Sequence, residues 1–450
     1  MRKEQDALGV RELEDNCLYG INTLRATENF TLGQKKVNKN LIKAIVTVKK
    51  AAAMTYRDLK LGDYDKENAI VIACDKLLTL SEESSSDRHF FAKAFPTEAW
   101  QGGAGTSTNM NVNEVIANLA LKELGYDYGR YDIIHPLDDV NRGQSTNDVY
   151  PTALRIAAIG QLRLLSDECA RLQTALQMKE NELQDIKKLG RTELMDAVPV
   201  TLGGEFGAYA QAIARDRWRL YKVEERLRQM NLGGTAVGLA GGAERKYRFG
   251  VTEQIRNLTG YGLAAAEYPM DLTQNNDVFV EVSGLCKALA VNLMKLSNDL
   301  RLMNSGPHGG LHEIKLAELQ QGSTIMAGKV NPVIPEMTMQ CAMRVMANDT
   351  AITMAAAHGE FELNAFMPLI ADSLLETLEV LTDATRIFRE KCIVPLVADE
   401  EGCRAHLEAS ASFGADYVPV LGYDVVAEII HNNTPEEAKR LLEEKAGQNA

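Results

Sequence analysis

Apolar residues recur at alternating three- and four-residue spacings along two long stretches of the chain. Leu162, Leu165, Cys169, Leu172, Leu176, Leu183 and Ile186 form one stripe, with Lys179 as its polar interruption. Val278, Val282, Leu285, Leu289, Leu293, Leu296, Leu300 and Met303 form the second. That spacing is the signature of helices with one buried face. Proline is absent from 152–198, 200–268, 270–306 and 336–367, as long helices require, since an interior proline costs about 3 kcal/mol. Helices of this length pack as an antiparallel bundle. Residues 1–140 mix helical stretches (41–61 and 114–124) with Gly/Thr/Asn-rich loops, and 81–86 (SEESSS) reads as a polar loop. From 394 onward short elements are broken by Pro395, Pro419, Gly422 and Pro435. The pattern predicts a mainly α chain in three parts: an N-terminal mainly helical domain (1–140), a central helical-bundle domain (141–393) and a short C-terminal domain (394–450).

Composition narrows the partners. The 450 residues carry 49 Lys plus Arg against 62 Asp plus Glu, a net charge of −13. That balance disfavours nucleic acid and anionic membrane surfaces, while leaving room for a small anion in a local pocket. No apolar run approaches the ~20 residues of a membrane span, and MRKEQDALGVRELED lacks the apolar core of a signal peptide. The seven cysteines are scattered and odd in number, with no C-x-x-C pair. His308 and His312 are close in sequence, but Pro307, Gly309 and Gly310 argue against the helix that would align them. A disulfide framework and a metal site are therefore disfavoured; a cytoplasmic protein without a cofactor is expected.

Three polar segments interrupt the helical pattern: 101–113 (QGGAGTSTNMNVN), 135–151 (HPLDDVNRGQSTNDVYP) and 321–332 (QGSTIMAGKVNP). Each precedes a helical stretch, where free N–H groups favour an anion. They supply Thr106, Ser145, Thr146, Asn147, Ser323, Thr324, Lys329 and Asn331, a set of neutral donors with one cation that suits carboxylates. Plain N-capping selects the same residue types. The third segment is not a phosphate-binding P-loop, because Val330 follows the lysine.

GGAGTSTNMNVNEVIAN, DDVNRGQSTNDVYPTALRIA and GSTIMAGKVNPVIPE resemble the three signature regions of the aspartase/fumarase superfamily. YGINTLRATENF, KKAAAM, GRTELMDAVPVTLGGEF, NDLRLMNSGP and FELNAFMPLI extend the likeness from residue 9 to about 395. GAGTSTNMN, LAELQQGS and KVNPVIPE are more similar to the aspartase branch than to fumarases.

The resemblance implies an elimination that releases fumarate from a small dicarboxylate or amino-acid substrate, ammonia being the leaving group in aspartases. A base removes the proton beside the β-carboxylate, giving an aci-carboxylate that needs preformed donors. By motif, Thr106, Ser145, Thr146 and Thr324 resemble the donors around that carboxylate. Lys329, Asn331 and Thr192 match the groups holding the other carboxylate, Asn147 the residue near the amino group, and Ser323 the base. The family draws its site from three subunits, so a homotetramer is implied. Glu193 stands where the family carries His or Gln, and Glu336 matches the acidic residue facing it. A protonated Glu193 would imitate Gln; an ionised one would favour a substrate with an extra cation. Leu137 replaces a family Asn, and GLAGGA at 238–243 departs from the family pattern. A fumarate hydratase, a lyase of substituted aspartates and a non-catalytic helical scaffold are the alternatives.

Overall fold

The computed structural model describes residues 1–33, 35–80, 84–241 and 243–448. The helices are α1 (Ile21–Asn29), α2 (Lys39–Asp58), α3 (Tyr64–Leu78), α4 (Ser85–Ala94), α5 (Thr106–Glu123), α6 (Thr146–Glu182), α7 (Leu202–Val223), α8 (Arg245–Thr259), α9 (Pro269–Gln274), α10 (Asp277–Met303), α11 (Val333–Ala357), α12 (Met367–Phe388), α13 (Glu400–Glu408), α14 (Val418–Leu421), α15 (Tyr423–Asn432) and α16 (Pro435–Gln448). Two antiparallel hairpins join them, β1–β2 (Arg2–Asp6, Gly9–Leu13) and β3–β4 (Lys187–Thr192, Met195–Thr201). The chain is mainly α, as the apolar periodicity predicts.

The chain falls into two compact units, each drawn from three stretches. The first comprises Met1–Leu164, Leu220–Lys287 and Val345–Glu379. Its core is built on α2, which packs on α3, α5 and α8. α2 buries Leu41, Ile42, Ile45 and Val48, and Ala51–Ala53 let its neighbours approach closely. Asn38 caps the helix by accepting the N–H of Asn40 at 2.8 Å. Gly20 leaves the α1 N-terminus without a side-chain cap. Buried Glu114 of α5 supplies one instead, accepting the N–H groups of Gly20, Asn22 and Thr23 at 2.9, 2.8 and 3.1 Å.

The second unit comprises Leu165–Arg219, Ala288–Arg344 and Val380–Ala450. Here Lys179, the interruption of the first apolar stripe, is buried. Its Nζ donates to the Leu396 carbonyl at 2.7 Å and reaches Glu182 at 2.8 Å, so the polar residue is satisfied within the core. α6 ends at Glu182, so Leu183 and Ile186 lie past the helix although they extend its stripe.

Two boundaries differ from the sequence reading. Segment 101–113 is loop only as far as Gly105 and helical from Thr106. Its asparagines tolerate a helix interior because their amides find partners elsewhere, Asn111 on the Ala94 carbonyl at 3.0 Å and Asn113 on Asn141 at 3.2 Å. Segment 135–151 contains a π-helical turn, Pro136–Val140, and α6 begins at Thr146. Pro151 therefore sits inside a helix. The carbonyl of Asn147, which an N–H at 151 would serve, instead accepts Nδ2 of Asn231 at 2.9 Å. Of the polar stretch 81–86, residues 81–83 lie outside the described residues, and Ser84 caps α4 through the N–H of Asp87.

Candidate active site

In the first unit, Thr106, Ser145 and Thr146 line a cleft of about 490 Å³ together with Asn109, Asn141 and Thr235. Gly105 turns the chain into α5 at φ +93°, where a Cβ would lie 2.3 Å from the ring of Tyr150, so only glycine fits. At the start of α6, Ser145 and Asp148 each use a side-chain oxygen to take up a backbone N–H. The N–H of Asn147 donates to Ser145 Oγ at 3.2 Å, and the N–H of Ser145 donates to Asp148 Oδ1 at 2.9 Å. The other oxygen of Asp148 accepts the N–H groups of Gly233 and Thr235 at 3.0 and 2.9 Å. Asp148 thus ties a second wall of the cleft to the helix. Burial raises its carboxyl to about 6 against the opposing pull of those N–H groups.

Hydrogen-bond accounting separates the hydroxyls. Thr146 Oγ1 accepts Nδ2 of Asn109 at 3.1 Å and Ser145 Oγ accepts an N–H, so each retains its own proton for a ligand. Thr106 instead donates its proton to the Gly103 carbonyl at 2.8 Å. Asn147 does not line the cleft; its Nδ2 donates to the Ala236 carbonyl at 2.8 Å.

In the second unit, Ser323, Thr324 and Lys329 line a cleft of about 530 Å³ formed by the loop before α11. The loop is closed by the N–H of Gly322 on the Lys329 carbonyl at 2.7 Å and by Nδ2 of Asn331 on the Gly322 carbonyl at 2.9 Å. A Cβ at Gly322 would meet that Lys329 oxygen at 2.8 Å. Ser323 Oγ accepts two backbone N–H groups, from Met326 at 2.8 Å and Ile325 at 3.2 Å. Donors on an oxygen favour its anionic form. Lys329 is exposed, and its Nζ has no acceptor among the described residues. Asn331 and Glu336 line an adjoining cleft with Lys329.

Thr192 and Glu193 are at the tip of the β3–β4 hairpin. Glu193 and Leu194 occupy φ +56° and +65°, a two-residue turn that non-glycine residues seldom adopt. Glu193 is exposed and carries no ion pair among the described residues. Its neighbour Arg191 is committed to buried Glu313 at 2.7 Å, as is Lys188 at 2.8 Å. Glu336 has Arg301 at 3.8 Å as its charge partner. The sequence-derived set therefore forms a hydroxyl-lined cleft on the first unit and a serine–lysine loop and a carboxylate-bearing turn on the second.

Sequence reasoning missed Asp148 and Lys49. The S-T-N-D run was a capping-box signal for Asp148. Lys49 belongs to a helix whose buried faces are apolar apart from it and Thr55, and nothing local distinguishes it. No group of three or more His, Cys, Asp or Glu is gathered for a metal among the described residues. No described helix is long and apolar enough to cross a membrane.

The lyase family model matches residues 10–347. The aspartate ammonia-lyase of Corynebacterium glutamicum is 43% identical over 94% of this chain and 80% of its own length. That of Escherichia coli K12 is 40% identical over 95% of this chain and 89% of its own. A crystal structure of fumarate lyase:delta crystallin from Brucella melitensis, bound to cobalt, superposes with a TM-score of 0.91 at 42% identity, covering 97% of this chain and 95% of that one. The chain belongs to the lyase family, on the aspartase-like side of the aspartase/fumarase superfamily.

Proposed function

We propose that this protein is an aspartate ammonia-lyase, converting L-aspartate reversibly to fumarate and ammonia. Ser323 is the base. Its hydroxyl proton is weakly acidic, and the N–H groups of Met326 and Ile325 on Oγ are what stabilise the alkoxide. That pair of bonds is the observation that carries the reading. The alkoxide takes the proton from the carbon beside the β-carboxylate. The electron pair moves onto that carboxylate as an aci-carboxylate, held by the free hydroxyl protons of Ser145 and Thr146. Collapse of the intermediate forms the double bond and expels the amino group as ammonia. Lys329 supplies the charge for the remaining carboxylate.

In this reading the site is shared between chains of a cytoplasmic homotetramer, with Thr192 and Glu193 presented to the site of a neighbour. The exposed tip, with Leu194 at 74% and Met195 at 70% exposure, supports coverage by another chain. A second reading, a lyase of cation-bearing substituted aspartates, is favoured by the unpaired Glu193 carboxylate beside Thr192. Offering aspartate, malate and an N-substituted cationic aspartate while following fumarate absorbance separates the readings; malate as the preferred substrate would replace both with a hydratase.

A further inference from the structure

A buried cation lies beneath the hydroxyl-lined cleft, and the reaction set out above does not use it. Lys49 of α2 is 0% exposed. Its Nζ donates to Asn141 Oδ1 at 2.7 Å and to Gln144 Oε1 at 3.0 Å, and both of these residues line the cleft. Asn141 Oδ1 also accepts Nδ2 of Asn109 at 3.1 Å and of Asn113 at 3.2 Å. Three side chains thus converge on one oxygen, fixing the 141–145 loop that leads into Ser145 and Thr146.

Neutral amide oxygens compensate poorly for burying an ammonium. The carboxylate that faces Lys49 is Asp148 of α6, and its oxygens are occupied by the N–H groups of Ser145, Gly233 and Thr235. From α3 the facing titratable group is Cys74, and α5 brings amides. Lys49 has no direct ion pair among the described residues, and an anion in the cleft would add a second compensating charge to that of Asp148.

We propose that Lys49 is a positioning residue that orients the Asn141–Thr146 wall and lends its charge to whichever carboxylate that wall binds. The inference rests on the cleft being the carboxylate-holding part of the lyase site. Burial holds the Lys49 ammonium down to about 7, against the pull of Asp148. The charge is therefore present below that pH and lost above it, and a bound anion favours the protonated form.

The test uses succinate, a dicarboxylate with nothing to eliminate, as the probe of the assembled enzyme. Its dissociation constant is measured calorimetrically at pH 6.5 and 8.5 for the parent, Lys49→Gln and Lys49→Arg. The parent should weaken about fivefold or more as pH rises. Lys49→Gln should bind weakly at both pH values, and Lys49→Arg, whose charge persists, should bind at both without that loss. Asp148 and Glu67, raised by burial to about 6 and about 8, remain in every variant; Lys49→Gln also removes the pull of Lys49 on Asp148, so Lys49→Arg, which keeps a charge there, is the decisive comparison. A parent with no pH dependence, or a folded Lys49→Gln that keeps the parental affinity and slope, overturns the inference. If Lys49→Gln does not fold, an Arg variant that loses affinity at pH 8.5 as the parent does overturns it. A parent that binds no succinate at either pH overturns the reading of the cleft instead.

Discussion

The backbone N–H of Met326 donates to Ser323 Oγ at 2.8 Å. A second bond, from Ile325, reaches the same oxygen at 3.2 Å. A hydroxyl oxygen that accepts twice from its own loop is held in one place, with its proton outward and its anion stabilised. Ser323→Ala should lower kcat by roughly 10²–10⁴-fold, the span of a general base. Circular dichroism and light scattering of the variant should match the parent, because Ser323 belongs to an exposed loop. Turnover close to the parent's would move the base elsewhere.

The three hydroxyls of the first unit are not equivalent. On the proposed mechanism Thr146→Ala removes a free donor from the developing aci-carboxylate, and kcat should fall by about 10²-fold. Thr106→Ala removes a hydroxyl whose proton is already engaged by the Gly103 carbonyl. Its effect on kcat should be smaller by about an order of magnitude. Steady-state kinetics on both variants checks the order, and the reverse order would mean that Thr106 exchanges its bond for substrate.

Asp148→Asn leaves a single acceptor oxygen for three N–H groups, and its amide hydrogens confront at least one of them. Stability should drop by about 1–3 kcal/mol, read from denaturant midpoints. The parent has its own pH dependence through this group. The folded carboxyl is raised by burial to about 6, so folding is favoured while it is protonated. That contribution is complete below the unfolded value of ~3.9 and is lost as pH rises through 6. The stability advantage of the parent over Asp148→Asn should therefore shrink from pH 4.5 to 6.5; an unchanging difference would show that Asp148 titrates normally.

Pro151 and Asn231 form a compensating pair around the Asn147 carbonyl. Asn231→Ala alone orphans that carbonyl and should cost about 1–3 kcal/mol. In Pro151→Ala/Asn231→Ala the N–H of residue 151 can serve it, so the double variant should be more stable than the sum of the single effects by about 1 kcal/mol. Strict additivity would show that the carbonyl is satisfied by some other group.

The helices and the loop before α11 were legible in the sequence because their signals are local. The stripe from Val278 to Met303 coincides with α10, and the polar segment 321–332 interrupts the helical pattern just before α11. What was not legible depends on distant partners. Lys49 meets Asn141 and Gln144 from 92 and 95 positions away, and Arg191 meets Glu313 across 122. No periodicity reports such pairings. Segment 101–113 failed for the same reason, since its asparagines read as loop formers until buried partners take up their amides.

The charge at the hairpin tip offers a test between the two proposed substrates. If the site accepts plain aspartate and Glu193 serves only as a hydrogen-bonding group, Glu193→Gln should keep aspartate kcat/KM within about twofold, well under 1 kcal/mol in barrier. If a cationic substituent pairs with it, the same variant should lose about tenfold on the substituted aspartate alone, or about 1.4 kcal/mol. Equal kinetics on both substrates would remove Glu193 from recognition.

The most direct test of the account is the stoichiometry of the reaction on L-aspartate by the purified enzyme, with fumarate read by absorbance and ammonia by a coupled assay. Fumarate and ammonia should appear in equal amounts from the parent, and roughly 10²–10⁴-fold more slowly from Ser323→Ala. Fumarate formed from malate while aspartate remains unchanged, or equal rates from parent and Ser323→Ala, would contradict it.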